Sequence, residues 1–116
     1  MKVYISQPMR GRSKEEILDE RDKGMQVIRV YYPDAEFLNN YFEDYNTSNG
    51  MSPMMYFAEC AKLMAQADLI VFLPMYLGAG GCEVEDHIAE VYHIPRMYIN
   101  FAIDSYGNYE DFPVYQ

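Results

Sequence analysis

A chain of 116 residues, half of them hydrophobic, fits one domain with a real core, and 1–116 is read as a single domain. Its formal net charge of −9 repels phosphate backbones, which argues against a general nucleic-acid binder but leaves room for one local cationic pocket. No apolar run approaches the ~20 residues that a membrane span needs, so neither nucleic acid nor a membrane is an expected partner.

The chain opens directly on the strand-like "KVYI", without a visible secretory signal. Cys60 and Cys82 form no metal spacing with His87 or His93. A reducing, cytoplasmic setting and no metal are the simplest expectations. Lys2–Ile5 is β-prone, and "SQPMRGRS" after it is a loop carrying Pro8 and Gly11. Ser13 with Glu16 makes a capping box, which predicts a helix that ends before Pro33. Its apolar face draws on Ile17, Leu18, Arg21, Met25, Val27 and Ile28. "AEFLNNY" reads as a strand, and the polar "EDYNTSNGMSP" as a loop.

Ser52 as N-cap and Pro53 at the first position predict a second helix through "MMYFAECAKLMAQA". The continuous apolar run in "DLIVFLP" reads as a central parallel strand buried on both faces. Asp68, at its start, reads as a hydrogen-bonding end residue. A third helix is expected from about Gly81 or Cys82, with Val84, Ile88 and Val91 as one buried stripe. "PRMYINF" is the last strand, and 104–116 reads as an irregular aromatic tail. The alternation β-α-β-α-β-α-β implies a parallel sheet with helices on both faces. Ligands of such sheets sit beyond the carboxyl ends of the strands, near a topological switch. That rule selects the loop after the first strand and the glycine-rich loop "PMYLGAGGC" after the third.

In the second loop, the start of the helix offers free amide hydrogens and a positive dipole end. Glu83, Glu85, Asp86 and Glu90 follow, and periodicity does not choose among them. Glu85 flanks the expected stripe. One turn into the helix, its carboxylate is expected to be ionised near neutral pH, fit to act as a nucleophile or to stabilise a cationic transition state. Acids in a first helical turn also commonly serve the dipole alone. Cys82 sits where a helix N-terminus can lower a thiol pKa, but no histidine is placed beside it as a base. In the first loop, Arg10 and Arg12 bracket Gly11 before a helix N-terminus, a pattern able to hold a phosphate or carboxylate. They equally fit surface ion pairs with Glu15 or Glu16. Tyr4, Gln7 and Met9 line a pocket or simply pack.

"KVYISQPMRG", "AQADLIVFLP" and "GCEVEDHIA" together resemble the three hallmark segments of the nucleoside 2-deoxyribosyltransferase-like superfamily, over roughly residues 1 to 100. The chain is more narrowly similar to a compact branch with an "ISQPMRG" opening and a "GC-x-x-E" element. The resemblance implies a flavodoxin-like three-layer α/β sandwich, a parallel sheet of about four to five strands, and a homodimer or higher homo-oligomer. It also implies cleavage of an N-glycosidic bond without metal or organic cofactor. Glu85 then takes the place of the nucleophile, and the loop from Ser6 through Arg12 cradles a nucleoside or nucleotide. Arg10, Gly11 and Arg12 look similar to the phosphate-binding version of that loop. Gly81 and Cys82 border the substrate, and Asn100 loosely matches a residue that a neighbouring subunit supplies. Cys82 stands where the family has Ser or Thr. Ala79 and Gly80 stand where active members carry an aspartate, and Cys60, beside Glu59, stands at a second aspartate position. The alternative expectation is therefore a nucleotide-binding module with weak or no turnover.

Overall fold

The computed structural model describes residues 1–41, 52–74 and 79–99 in full, and the backbone of 101–103 and 109–111. Most of the expected polar loop, Gly78, Asn100 and much of the tail lie outside the described residues. The elements are β1 (Lys2–Ser6), α1 (Lys14–Tyr31), β2 (Glu36–Phe37), α2 (Pro53–Met64), β3 (Leu69–Phe72), α3 (Gly80–Val91), β4 (Arg96–Tyr98), β5 (Phe101–Ile103) and β6 (Tyr109–Asp111). The first four strands form one sheet in the order β2-β1-β3-β4. Every pairing in it is parallel: β1 with β2, β1 with β3, and β3 with β4.

The sheet is covered on both faces. Val3, Ile5, Leu69 and Val71 point to one side and pack with Val27 and Ile28 of α1. Tyr4, Ile70 and Phe72 point to the other and pack with Cys60 and Met64 of α2 and Ala89 of α3. The period-2 alternation of a strand produces this division, and it makes a central strand apolar at every position. The molecule is thus a three-layer α/β sandwich with the flavodoxin-type strand order. Chain direction switches at β1 and β3, because the connections leave these neighbours toward opposite edges of the sheet.

Local chemistry explains the helix starts. Ser13 Oγ accepts from the Glu16 amide at 3.1 Å, and Ser52 Oγ accepts from the Met55 amide at 3.1 Å, with Pro53 in the first turn. Asp68 ties the opening of the sheet, accepting from the Lys2 amide at 2.8 Å while its own amide donates to the Lys2 carbonyl.

Four expectations need correction. "AEFLNNY" contributes only Glu36–Phe37 as a strand; beyond it, the Asn40 side chain rather than the backbone ladder reaches the Ile5 carbonyl, at 2.7 Å. "PRMYINF" is divided: β4 stays in the main sheet, whereas β5 pairs antiparallel with β6. The tail expected to be irregular therefore contains a strand, Tyr109–Asp111, because β5 offers an edge to pair with. In α3, which starts at Gly80, the buried side chains are Cys82, Glu85 and Ala89, while Val84 and Val91 are about half exposed. The helix is turned so that small Ala89 meets the sheet and Glu85 meets hydroxyl groups.

Candidate functional site

A cleft of about 810 Å³ opens at the carboxyl edge of the sheet, where β1 and β3 diverge. Its size suits a small ligand. The loop after β1 supplies one wall and the start of α3 the facing one. From α2 come Pro53, Tyr56, Phe57 and Cys60, a largely apolar side.

Glu85 lies in the cleft lining with only 8% of its surface exposed. Two residues of β1 on the same strand face reach it. Tyr4 Oη donates to Glu85 Oε2, and Ser6 Oγ donates to Glu85 Oε1 at 2.9 Å. Each carboxylate oxygen thus has its own donor, which fixes the plane of the group. Burial pushes the Glu85 carboxyl above the usual carboxylate range, and the two hydroxyl bonds only partly pull it back. The direction is opposite to the lowering that a helix dipole alone would give. Glu85 lies in the second turn, where the dipole's influence has faded, and desolvation is the larger effect. Burial first, then the neighbouring Glu85, push the Tyr4 phenol far up, so Tyr4 keeps its proton and remains a donor.

The cysteines are poor nucleophiles. Burial pushes the Cys82 thiol up to about 12, outweighing the Ser6 hydrogen bond that acts the other way. Burial likewise raises Cys60. The helix N-terminus therefore does not make Cys82 a thiolate. Ala79, the N-cap of α3, offers no side-chain cap to the first amides, and the helix start lines the cleft. An added Cβ at Gly80 or Gly81 would meet nothing within 4 Å among the described residues. These glycines leave open space at the helix end, as close approach of a ligand requires.

The first loop is a tight turn. The Arg12 amide donates to the Met9 carbonyl at 3.2 Å, and Gly11 has φ +76°, the conformation that favours glycine. Gly11 shapes the loop without lining the cleft. Arg12 ion-pairs with Glu20 at 2.9 Å and donates to the Pro8 carbonyl at 2.9 Å, so its partner is neither Glu15 nor Glu16. Arg10 lines the cleft from an exposed position and enters no ion pair among the described residues. Gln7 is buried, its Nε2 donating to the Ile17 carbonyl at 2.7 Å and to Glu20 Oε1 at 3.1 Å. Met9 is buried, and its sulfur accepts from Tyr56 Oη at 3.5 Å.

The fold thus gathers Tyr4, Ser6, Gln7, Met9, Arg10, Arg12, Gly81, Cys82 and Glu85 around one cleft. His87 and His93 are exposed on or just beyond α3, and no group of three His, Cys, Asp or Glu side chains among the described residues could hold a metal ion. Glu83 and Glu90 are exposed, and Asp86 turns to Arg96 and Tyr98, accepting from them at 2.9 and 2.5 Å.

Five cleft residues were not marked as such by the sequence: Glu20, Asn40, Pro53, Tyr56 and Phe57. Asn40 is buried, accepts from Arg21 Nη2 at 2.6 Å and, through its carbonyl, from Tyr56 Oη at 3.1 Å. No local motif marks them, because the rule of strand ends points to loops and these residues sit on helices or beyond a two-residue strand.

Fold and site together define a three-layer α/β domain with a buried carboxylate in a cleft at its topological switch. Compared with known proteins, the chain matches no protein-family model and no curated protein sequence. Among the described residues, no helix is long and apolar enough to cross a membrane.

Proposed function

We propose that this protein cleaves the N-glycosidic bond of a nucleoside or nucleoside 5′-monophosphate, with Glu85 as nucleophile. The observation that carries the reading is a nine-tenths-buried carboxylate, one hydroxyl donor on each oxygen, in the lining of a ligand-sized cleft. The resemblance of "ISQPMRG" and "GC-x-x-E" to the nucleoside 2-deoxyribosyltransferase-like superfamily supports it. In its ionised form, Glu85 attacks C1′ through an oxocarbenium-like transition state. The C1′–N bond breaks, and the base leaves with the bonding electrons and takes a proton from solvent or an acid. Water or a second base then attacks C1′ and frees Glu85, giving hydrolysis or transfer. Tyr4 and Ser6 hold the carboxylate plane and stabilise its charge. Arg10, beside the turn at Gly11, is the cation best placed for a 5′-phosphate, since Arg12 is engaged by Glu20.

Incubation with deoxyribo- and ribonucleosides and their monophosphates is expected to release free base, resolved by chromatography. Glu85→Ala is expected to lower the rate at least ~1,000-fold, as removal of a covalent nucleophile does. No base release from the whole panel would sink this reading.

A binding module without turnover is the second reading. Cys60 lines the cleft where the superfamily would place an aspartate, and Glu59 instead pairs on the surface with Lys62 at 3.0 Å. Thermal stabilisation by nucleotides that persists in Glu85→Gln, without base release, is the outcome that favours it. A homo-oligomer in the cytoplasm completes the proposal. The exposed Met54, Met55, Val84 and Val91 on α2 and α3 support self-association, and the two unpaired thiols support a reducing compartment.

A further inference from the structure

A second carboxylate faces the cleft from α1. Glu20 Oε1 already accepts from Arg12 Nη1 at 2.9 Å and from Gln7 Nε2 at 3.1 Å. Glu20 Oε2 accepts no hydrogen bond among the described residues, although the side chain is only 18% exposed. Gln7 adds a buried acceptor: its Oε1 has no hydrogen-bond partner among the described residues. The amide orientation is dictated, because Nε2 faces two acceptors, the Ile17 carbonyl and Glu20. The α1 side of the cleft therefore carries one buried acceptor in search of a donor, Gln7 Oε1, next to a Glu20 carboxylate oxygen left open to solvent or ligand. A buried acceptor left unpaired is unfavourable, and a ligand bearing O–H groups would relieve it.

We propose that Glu20, braced by Arg12 and Gln7, binds the free hydroxyls of the substrate's sugar and makes the protein selective for a hydroxylated glycosyl group. The inference rests on the N-glycosidic reading above. A neutral sugar fits this wall better than a phosphate does, because Glu20 repels an anion and its ion pair occupies Arg12. Carboxylates are the usual partners of ribose hydroxyls for the same reason. Cys82 lies near enough to both Glu85 and Glu20 for each charge to raise its pKa, so the two carboxylates border one corner of the cleft. A sugar whose C1′ meets Glu85 then turns its ring hydroxyls toward Glu20, while the base has the apolar side of Pro53, Tyr56 and Phe57.

The test compares nucleoside 5′-monophosphates that share a base and carry a ribo, 2′-deoxy, 3′-deoxy or 2′,3′-dideoxy sugar. Base release is measured with the otherwise unaltered protein, and affinity by calorimetry in the Glu85→Gln background. Without a Glu20 substitution, at least one hydroxylated ligand should be preferred over the dideoxy ligand by roughly tenfold or more, as a hydrogen bond to a charged group implies. Glu20→Ala should erase that preference, so that the hydroxylated and dideoxy ligands bind alike; any change that all four monophosphates share reflects the Arg12 it releases. Glu20→Gln keeps the volume and one acceptor, so it should fold and show a reduced preference; a melting curve checks each variant. A preference absent at the start, or retained in both variants while base is still released, overturns the Glu20 proposal and leaves the glycosidic reading standing. Hydroxyl-dependent binding that Glu20→Ala removes, without any base release, overturns the catalytic reading instead. Neither binding nor release overturns both.

Discussion

At the scale of single residues, Glu85 is caught between burial, which favours its neutral form, and two hydroxyl donors, which favour its charge. Burial is the larger, so the folded protein holds this proton more tightly than the unfolded chain does near the ordinary 4.5. The stability linked to this proton is complete below that ordinary value and is lost as pH rises through the higher folded pKa. Glu85→Gln should therefore raise the urea midpoint at pH 7, and the gain should shrink toward pH 4. An advantage that grows on acidification would contradict the sign. For the same reason, base release should climb with pH along a limb lying above the exposed-glutamate range, measurable in a kcat/KM profile. The cysteines give a separate check. With Cys82 raised to about 12 and almost fully buried, it should resist thiol reagents at pH 8 in the native state and react readily in urea. Fast native labelling would reopen a role for its thiolate.

At the scale of elements, α3 shows what periodicity reads and what it misses. Val84, Ile88 and Val91 repeat correctly for a helix, and the helix exists. Yet Val84 and Val91 are half exposed while Glu85 is buried. The rotation follows from partners 79 and 81 positions away, the hydroxyls of Ser6 and Tyr4, which no window on α3 contains. The end of α3 is also specific. Ile94 N–H donates to the Ala89 carbonyl at 2.9 Å and His93 N–H to the Glu90 carbonyl at 3.3 Å, the two bonds of a Schellman motif. His93 occupies the left-handed position there, with φ 57°, where a side chain is unfavourable. His93→Gly should stabilise the protein by about 1 kcal/mol in urea unfolding. An unchanged or lowered midpoint would mean that the imidazole makes a compensating contact.

At the scale of the whole molecule, Asn40 joins four elements. It donates to the end of β1 at Ile5, accepts from Arg21 of α1, follows β2, and its carbonyl accepts from Tyr56 of α2. Arg21 is itself 4% exposed, and its Nη1 has no hydrogen-bond partner among the described residues, so losing Asn40 would strip a further contact from a buried cation. Asn40→Ala is expected to destabilise by about 3 kcal/mol, as breaking a buried charged network does. Asn39→Ala, exposed next door, should stay within about 0.5 kcal/mol. Equal effects at both positions would show that the network is not what holds this corner of the cleft.

The sequence by itself determined the alternation of strands and helices, the caps at Ser13 and Ser52, and the doubly buried β3. Each is written within a few neighbouring residues, as a run, a period or a cap. It also singled out the two loops that meet at the cleft, since the alternation implies a parallel sheet and ligands of such sheets sit beyond the strand ends. Only the tertiary structure decided which acid is buried, which arginine is already paired, and which helix residues close the cleft. Those outcomes depend on charge, desolvation and hydrogen bonds between residues far apart in the chain. Glu85 is held by β1, and Glu20 by a loop arginine and glutamine, and no local pattern encodes either meeting.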